Sequence, residues 1–265
     1  MSAVPARGAR QSHVELVIDV LFADEDLVVV DKPAGMPSVP ARTPLDPPCV
    51  AVVLARQFGF LEPVHRLDRD TSGILVLARS PAARASLGRA FETRQVRKRY
   101  EAIVQGRPLT SEGEVRLPLA RDPDRPPRYR VDPILGREAI TRWRLLEISE
   151  QPDDGRWSRL ELEPVTGRSH QLRVHLAWLG LPIVGDRLYG RRPVVDSGEL
   201  ALRAVSTSLR HPRDGRPLEF TAAPLARMPE GGQPRRPASG AGVEAVLEPA
   251  VEPVVASAEG PTCCQ

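Results

Sequence analysis

Three cysteines stand in a chain of 265 residues, Cys49 and the pair Cys263–Cys264. That is too few for a disulfide framework, and no Cys-x-x-Cys lies at metal-ligand spacing from a histidine. No apolar run approaches the roughly 20 residues that span a bilayer. The opening segment, MSAVPARGARQSHVEL, lacks the apolar centre of a secretory signal. A Gly-x4-Gly-Lys-Ser/Thr phosphate loop is missing, and so is any internal repeat. Together these absences exclude a disulfide-stapled secreted module, a helical membrane protein and a P-loop nucleotidase, and they predict a cytosolic protein.

Lysine is almost absent as well. Through residue 227 it occurs only at Lys32 and Lys98, and the remaining cations are arginines. The formal charge of +3 hides an asymmetry. From Met228 onward five glutamates face two arginines, a net −3, which leaves +6 on residues 1–227. Arginine grips phosphate with two parallel hydrogen bonds and stacks on bases, so this balance suits nucleic acid. A GC-rich genome yields the same arginine, alanine and proline bias, so composition does not decide the matter alone.

Three zones follow: a leader over 1–12, densely patterned apolar sequence over 13–227, and a tail over 228–265 built from Pro, Ala, Gly and Glu with no aromatic residue. The leader is expected to be flexible and the tail disordered. In the middle zone, strands are expected at 27–32, 73–79, 100–106 and 158–165, where β-branched or alternating apolar residues end at turn formers. Helices are expected at 81–95, which opens on Pro81, and at 169–180, which stops at Gly180. Strands outnumber helices and the helices are not regularly interposed. This predicts one α+β domain, with helices flanking a mixed, largely antiparallel central sheet.

Polar residues collect at the ends of three of these elements. The stretch Val64–Gly73, VHRLDRDTSG, sets Asp68, Asp70, Arg66, Arg69 and His65 at the mouth of an apolar strand. Arg97, Lys98 and Arg99 precede Tyr100 at a second strand. Arg168, His170, Arg173 and His175 enter the later helix. Each residue has an ordinary reading: a loop aspartate caps a turn, a strand tyrosine fills core, a helical arginine faces solvent. A phosphatase of the haloacid dehalogenase kind wants Asp-x-Asp-x-Thr or Val behind a clean strand. Here Ser72 holds the fifth position and PVHRL precedes Asp68, so phosphoryl transfer fits badly.

The clusters gain meaning from their order. DEDLVVVDKPAGMPSVPA (24–41) is similar to the Asn/Asp-Lys-Pro-x-Gly motif of the pseudouridine synthases of the RluA type. HRLDRDTSGILVLAR (65–79) resembles their His-Arg-Leu-Asp-x-x-Thr-Ser-Gly motif at all seven fixed positions. RKRYEAIVQG (97–106) resembles the Lys-x-Tyr strand, and TGRSHQLRVHLAWLGLPIVGDRLYG (166–190) the Thr-Gly-Arg-x-His-Gln-Ile/Leu-Arg-x-His segment with its Gly-Asp continuation. The resemblance covers about residues 16–224. One departure is Arg203, which stands where the family often has the histidine of Leu-His-Ala.

The resemblance implies an RNA uridine isomerase, with Asp68 as catalytic aspartate, Tyr100 as active-site tyrosine and Arg173 as the partner that holds Asp68. Arg66 would help displace the target base, and His65, Lys98, Arg168 and His170 would contact RNA. Tyr100 has two roles open to it, stacking on the uracil or moving the carbon-5 proton. Breaking the ribose bond to uracil nitrogen 1 and rejoining through carbon 5 calls for no metal, cofactor or phosphate donor. The expected partner is structured ribosomal or transfer RNA, bound by a monomer away from membranes. A fold retained for RNA binding or ribosome assembly without catalysis is the rival, and intact Asp68, Tyr100 and Arg173 argue against it.

Overall fold

The computed structural model describes residues 16–40, 48–149, 157–190, 198–225 and 254–256. In chain order the elements are β1 (Leu16–Ala23), β2 (Leu27–Lys32), α1 (Val50–Phe58), β3 (Glu62–Pro63), β4 (Ser72–Ala78), α2 (Pro81–Glu92), β5 (Arg97–Gln105) and β6 (Glu112–Arg116). They continue with β7 (Leu119–Arg121), β8 (Tyr129–Val131), β9 (Ile140–Ser149), β10 (Trp157–Pro164), α3 (Gln171–Trp178), β11 (Leu202–Arg210), β12 (Pro217–Thr221) and β13 (Val254–Ala256).

The main sheet runs β13-β1-β2-β4-β11-β5-β10-β9-β6, with β12 on β11 and β3 on β4; β7 and β8 form a separate ribbon. Among the named strands only β4 and β11 pair in parallel, so the sheet is mixed and largely antiparallel, as the element order predicts. The near-continuous apolar runs of β2 and β4 put these strands in the interior, where Val28–Val30 and Ile74–Ala78 are fully buried. β10 alternates instead: Ser158, Leu160 and Leu162 face the core, while Arg159 and Glu161 lie on the more open side.

Several boundaries differ from the sequence pattern for local reasons. The helix expected over 81–95 is capped by the Ser80 hydroxyl, which accepts the Ala83 N–H at 3.1 Å. It ends at Glu92 because Arg94 turns left-handed at φ 61°. The helix expected from 169 begins at Gln171, since His170 is left-handed at φ 56°. β5 starts three residues early because Arg97, Lys98 and Arg99 pair with Ser208, Thr207 and Ser206 of β11. Nearly all of the tail expected over 228–265 and the leader expected over 1–12 lie outside the described residues; Val254–Ala256 pairs with Ile18–Leu16 of β1.

Gly73 governs how the centre is assembled. Its φ is 105°, and a Cβ there would stand 2.2 Å from the Ala204 carbonyl oxygen. Only glycine lets β4 approach β11 closely enough to form the parallel pair. Ala204 is in turn opposite Tyr100 on β5. Gly73, Ala204 and Tyr100 thus lie in one row across three strands, and the loop that leads into Gly73 carries Asp68.

Candidate active site

The three polar clusters converge on one cavity of about 750 Å³, lined by His65, Arg66, Asp68, Lys98, Tyr100, Arg168, His170 and Arg173 among others. Every predicted site residue is therefore present at one place. That volume is in the range of small-ligand sites.

Asp68 stands in the loop between β3 and β4, its side chain 22% exposed. Two contacts fix that loop from behind. The Ser38 hydroxyl donates to the Leu67 carbonyl at 2.9 Å and accepts the Leu67 N–H at 3.1 Å. Lys32, fully buried, donates to the carbonyls of Pro33, Met36 and Arg69 at 2.9, 2.8 and 2.9 Å. Burial lowers the Lys32 ammonium to about 7, against the opposing charges of Asp70 and Asp68. The motif Asp-Lys-Pro-x-Gly thus acts on Asp68 through backbone anchoring.

Arg173, on the buried side of α3, presents Nη1 to Asp68 Oδ2 at 3.5 Å. Its main partner is another residue, Asp186: Nε donates to Oδ2 at 2.9 Å and Nη2 to Oδ1 at 2.8 Å. Such a two-pronged pair fixes the guanidinium plane. Asp186 is itself held, since Oδ1 accepts the N–H groups of Leu188 and Tyr189 at 2.9 and 3.0 Å. Burial alone would raise the Asp186 pKa; the Arg173 hydrogen bonds and charge, with the N–H groups of Leu188 and Tyr189, together outweigh it and lower it. Gly185, at φ 76°, makes the turn that delivers Asp186; a Cβ there would sit 2.5 Å from the Glu199 carbonyl oxygen. Sequence reasoning kept the Gly-Asp pair as a motif and missed that its carboxylate orients Arg173.

Tyr100 is buried at the end of the row Gly73–Ala204–Tyr100, and burial first, then the Asp68 charge, raises its phenol well above the usual range. It keeps its proton at any physiological pH. His65 stacks on Phe91 with ring centroids 4.5 Å apart, and its Nε2 accepts the Val76 N–H at 3.1 Å. Burial, with the Lys98 charge added, lowers it to about 3. A neutral ring serves that hydrogen bond, so His65 braces the Asp68 loop against β4. Lys98 lies over the other partner of the stack, 5.8 Å from the Phe91 centroid, and burial lowers its pKa.

At the opposite wall Arg168 donates from Nε to the Glu138 carbonyl at 3.0 Å. His170 meets the Tyr189 hydroxyl at 2.7 Å through Nδ1. Gln171 ties the entry of α3 to β9, donating to the Ile140 carbonyl and Thr141 hydroxyl at 2.9 and 3.0 Å. His175 is structural, with Nδ1 and Nε2 engaged by Thr141 and the Leu117 carbonyl. Arg66 is exposed at the cavity. Arg203, at the family's histidine position, is buried and pairs with Asp31 and the Ala223 carbonyl, joining β2 to β11.

Among the described residues, one group has metal-ligand spacing: Asp24, Asp26 and His211. Its carboxylates are already engaged by Arg213 at 2.8 Å and Arg216 at 3.5 Å and by the N–H groups of Asp26 and Leu27. The group ties the start of β2 to the β11–β12 turn.

Comparison with known proteins agrees with this geometry. Residues 26–178 match the family profile described as RNA pseudouridylate synthase. The dual-specificity RNA pseudouridine synthase RluA of Haemophilus influenzae is 41% identical over 79% of this chain and 94% of its own length. The protein of the same name in Escherichia coli K12 is 38% identical over 77% and 91%. Among solved structures, human RNA pseudouridylate synthase domain containing 1 superposes with a TM-score of 0.65 at 28% identity, covering 78% of this chain and 83% of that one. Human RNA pseudouridylate synthase domain containing 4 gives 0.61 at 26%, covering 77% and 88%. The chain belongs to the RNA pseudouridylate synthase family, in its RluA-type branch, and is an isomerase that makes pseudouridine in RNA.

Proposed function

We propose that the cavity takes a single uridine flipped out of structured ribosomal RNA, transfer RNA or both, and that Asp68 acts on it. The observation that carries this reading is the arrangement at the cavity floor: a partly exposed carboxylate, a guanidinium 3.5 Å away that a fully buried second carboxylate holds in plane, and a buried phenol nearby. The dual-specificity names of the relatives support a substrate range of more than one RNA.

The chemistry sets the demands. The bond from ribose carbon 1′ to uracil nitrogen 1 breaks, the base turns, and a bond from carbon 1′ to carbon 5 forms. Carbon 5 then gives up its proton and nitrogen 1 gains one. An ionised carboxylate supplies covalent or electrostatic help at the sugar or base. Arg173 sets an opposite charge 3.5 Å from that carboxylate and helps hold it in place inside the cavity. Tyr100, protonated and buried, offers a flat face to the uracil and a hydroxyl for proton movement. Flipping the base costs a few kcal/mol of stacking, and Arg66, exposed beside Asp68, is suited to fill the vacated stack. Arg168 and Lys98 supply positive charge for the flanking phosphates. His65 and His170, each engaged inside the protein, shape the walls.

All of these side chains come from one chain, which supports a monomer as the working unit, and an RNA substrate of these classes supports a cytoplasmic enzyme. Site-resolved pseudouridine mapping of total RNA, with and without the gene, tests the reading. Loss of pseudouridine at defined sites in ribosomal or transfer RNA supports it, and an unchanged map overturns it.

A further inference from the structure

The ribbon β7–β8 is set apart from the main sheet, and across its turn and the adjoining strand ends positive charge outnumbers negative. Residues 121–130, RDPDRPPRYR, carry Arg121, Arg125, Arg128 and Arg130 against Asp122 and Asp124. Arg130 pairs with both of those carboxylates at 3.7 Å. Arg121 and Arg125 are exposed.

The ribbon is joined to the cavity through Tyr189. The Tyr189 hydroxyl accepts the backbone N–H of Tyr129, at the start of β8, at 2.8 Å and meets His170 Nδ1 at 2.7 Å. The Tyr129 ring rests edge-on against His170, with centroids 5.4 Å apart. Two guanidiniums lie over the Tyr189 ring: Arg128 of the ribbon at 5.9 Å and Arg173 of the candidate catalytic pair at 5.3 Å. The Tyr189 N–H also binds Asp186, which orients Arg173. One side chain thus touches the ribbon, the residue that opens α3, and the arginine beside Asp68.

From this placement we infer that Tyr189 is a positioning residue that couples an RNA-gripping arginine ribbon, β7–β8, to the alignment of Arg173 against Asp68. The inference rests on the cavity taking a uridine of RNA. Phosphates are drawn to the exposed guanidiniums of the ribbon, and that contact fixes where Tyr129 lies. The hydroxyl carries this position to His170, and the ring face keeps Arg173 seated by its attraction for a guanidinium. The two halves of the side chain therefore do separable work: the hydroxyl serves RNA engagement and the ring serves the catalytic pair.

The test uses full-length protein and transcripts of ribosomal and transfer RNA carrying uridine tritiated at carbon 5, which isomerisation releases. Tyr189→Phe keeps the ring and loses one hydrogen-bond relay, so KM should rise by about three- to tenfold with a smaller fall in kcat. Tyr189→Leu loses both and should add a fall in kcat of about tenfold or more. Removing Arg121 and Arg125 as alanines should raise KM in the native background and raise it less in Tyr189→Phe. Equal kinetics for the Phe and Leu variants, a native KM for Tyr189→Phe, or full additivity with the arginine changes would overturn the coupling. If the Leu variant melts, the Phe variant and its additivity decide alone. A native enzyme that releases no tritium from either RNA would instead sink the functional reading itself.

Discussion

Asp186→Asn should destabilise the fold more than any single change of the residue proposed to react. The native carboxylate is fully buried and accepts two hydrogen bonds from Arg173, at 2.9 and 2.8 Å. Asparagine keeps the shape and an oxygen for the Leu188 and Tyr189 N–H groups but removes the charge. Breaking a buried pair by changing one partner costs about 3–5 kcal/mol, because the remaining charge is left uncompensated. Arg173 retains Asp68 at 3.5 Å as a second, partly exposed partner, so the lower end, about 3 kcal/mol, applies. The guanidinium should also swing away from its fixed plane, and tritium release should fall with stability. Asp68→Asn breaks only the longer, partly hydrated contact and should lose no more than about 1 kcal/mol. Urea unfolding of the three proteins, read as midpoint and slope, measures both differences. Native stability in Asp186→Asn, or equal losses at 186 and 68, would refute the assignment of Asp186 as the residue that seats Arg173.

Other outcomes follow from the same contacts. Arg173→Ala leaves Asp186 buried without a counter-ion and should lose about 3–5 kcal/mol together with activity; Arg173→Lys restores charge without the fork and should fall between alanine and native in both assays. His65 is held near 3 in the fold by burial and Lys98, against about 6.5 in the unfolded chain. Its contribution to stability is therefore complete above about pH 6.5 and declines as pH falls toward 3, by about 1.4 kcal/mol per unit. His65→Gln should flatten the slope of unfolding free energy between pH 4 and 6 by about that amount, and an unchanged slope would exclude His65 as a ring that the fold holds neutral. Lys32→Met removes three donors to the loops around Asp68, and turnover should fall further than RNA affinity; a native turnover rate would show that these loops hold without it.

The sequence made some of this legible and hid the rest for physical reasons. Asp68, Tyr100 and Arg173 stand in contiguous motifs at element ends, where side chains from distant segments meet, so motif order was enough to bring them together. The mixed sheet followed from short strands with few helices between them. The parallel pairing of β4 with β11 was out of reach, because it joins Gly73 to Ala204 across 131 positions of sequence and depends on the bare Cα of Gly73. Asp186 was visible only as part of a Gly-Asp motif, since its role needs the left-handed turn at Gly185 to aim it at Arg173. α1 was missed although VAVVLARQF is apolar on one face; its short run is equally compatible with a strand. His65 was read as a contact for RNA, and its stacking on Phe91 and its bond to Val76 could not be seen from spacing alone. Arg203 looked like a departure from the family and proved to be paired with Asp31 across two strands.

The most direct measurement is single-turnover tritium release from uridine-labelled RNA by purified Asp68→Asn beside the native protein, with RNA affinity measured in parallel. Phosphate contacts dominate affinity, so binding should stay within about tenfold of native while tritium release disappears. Appreciable release by Asp68→Asn would contradict the claim that the carboxylate beside Arg173 is the group that reacts.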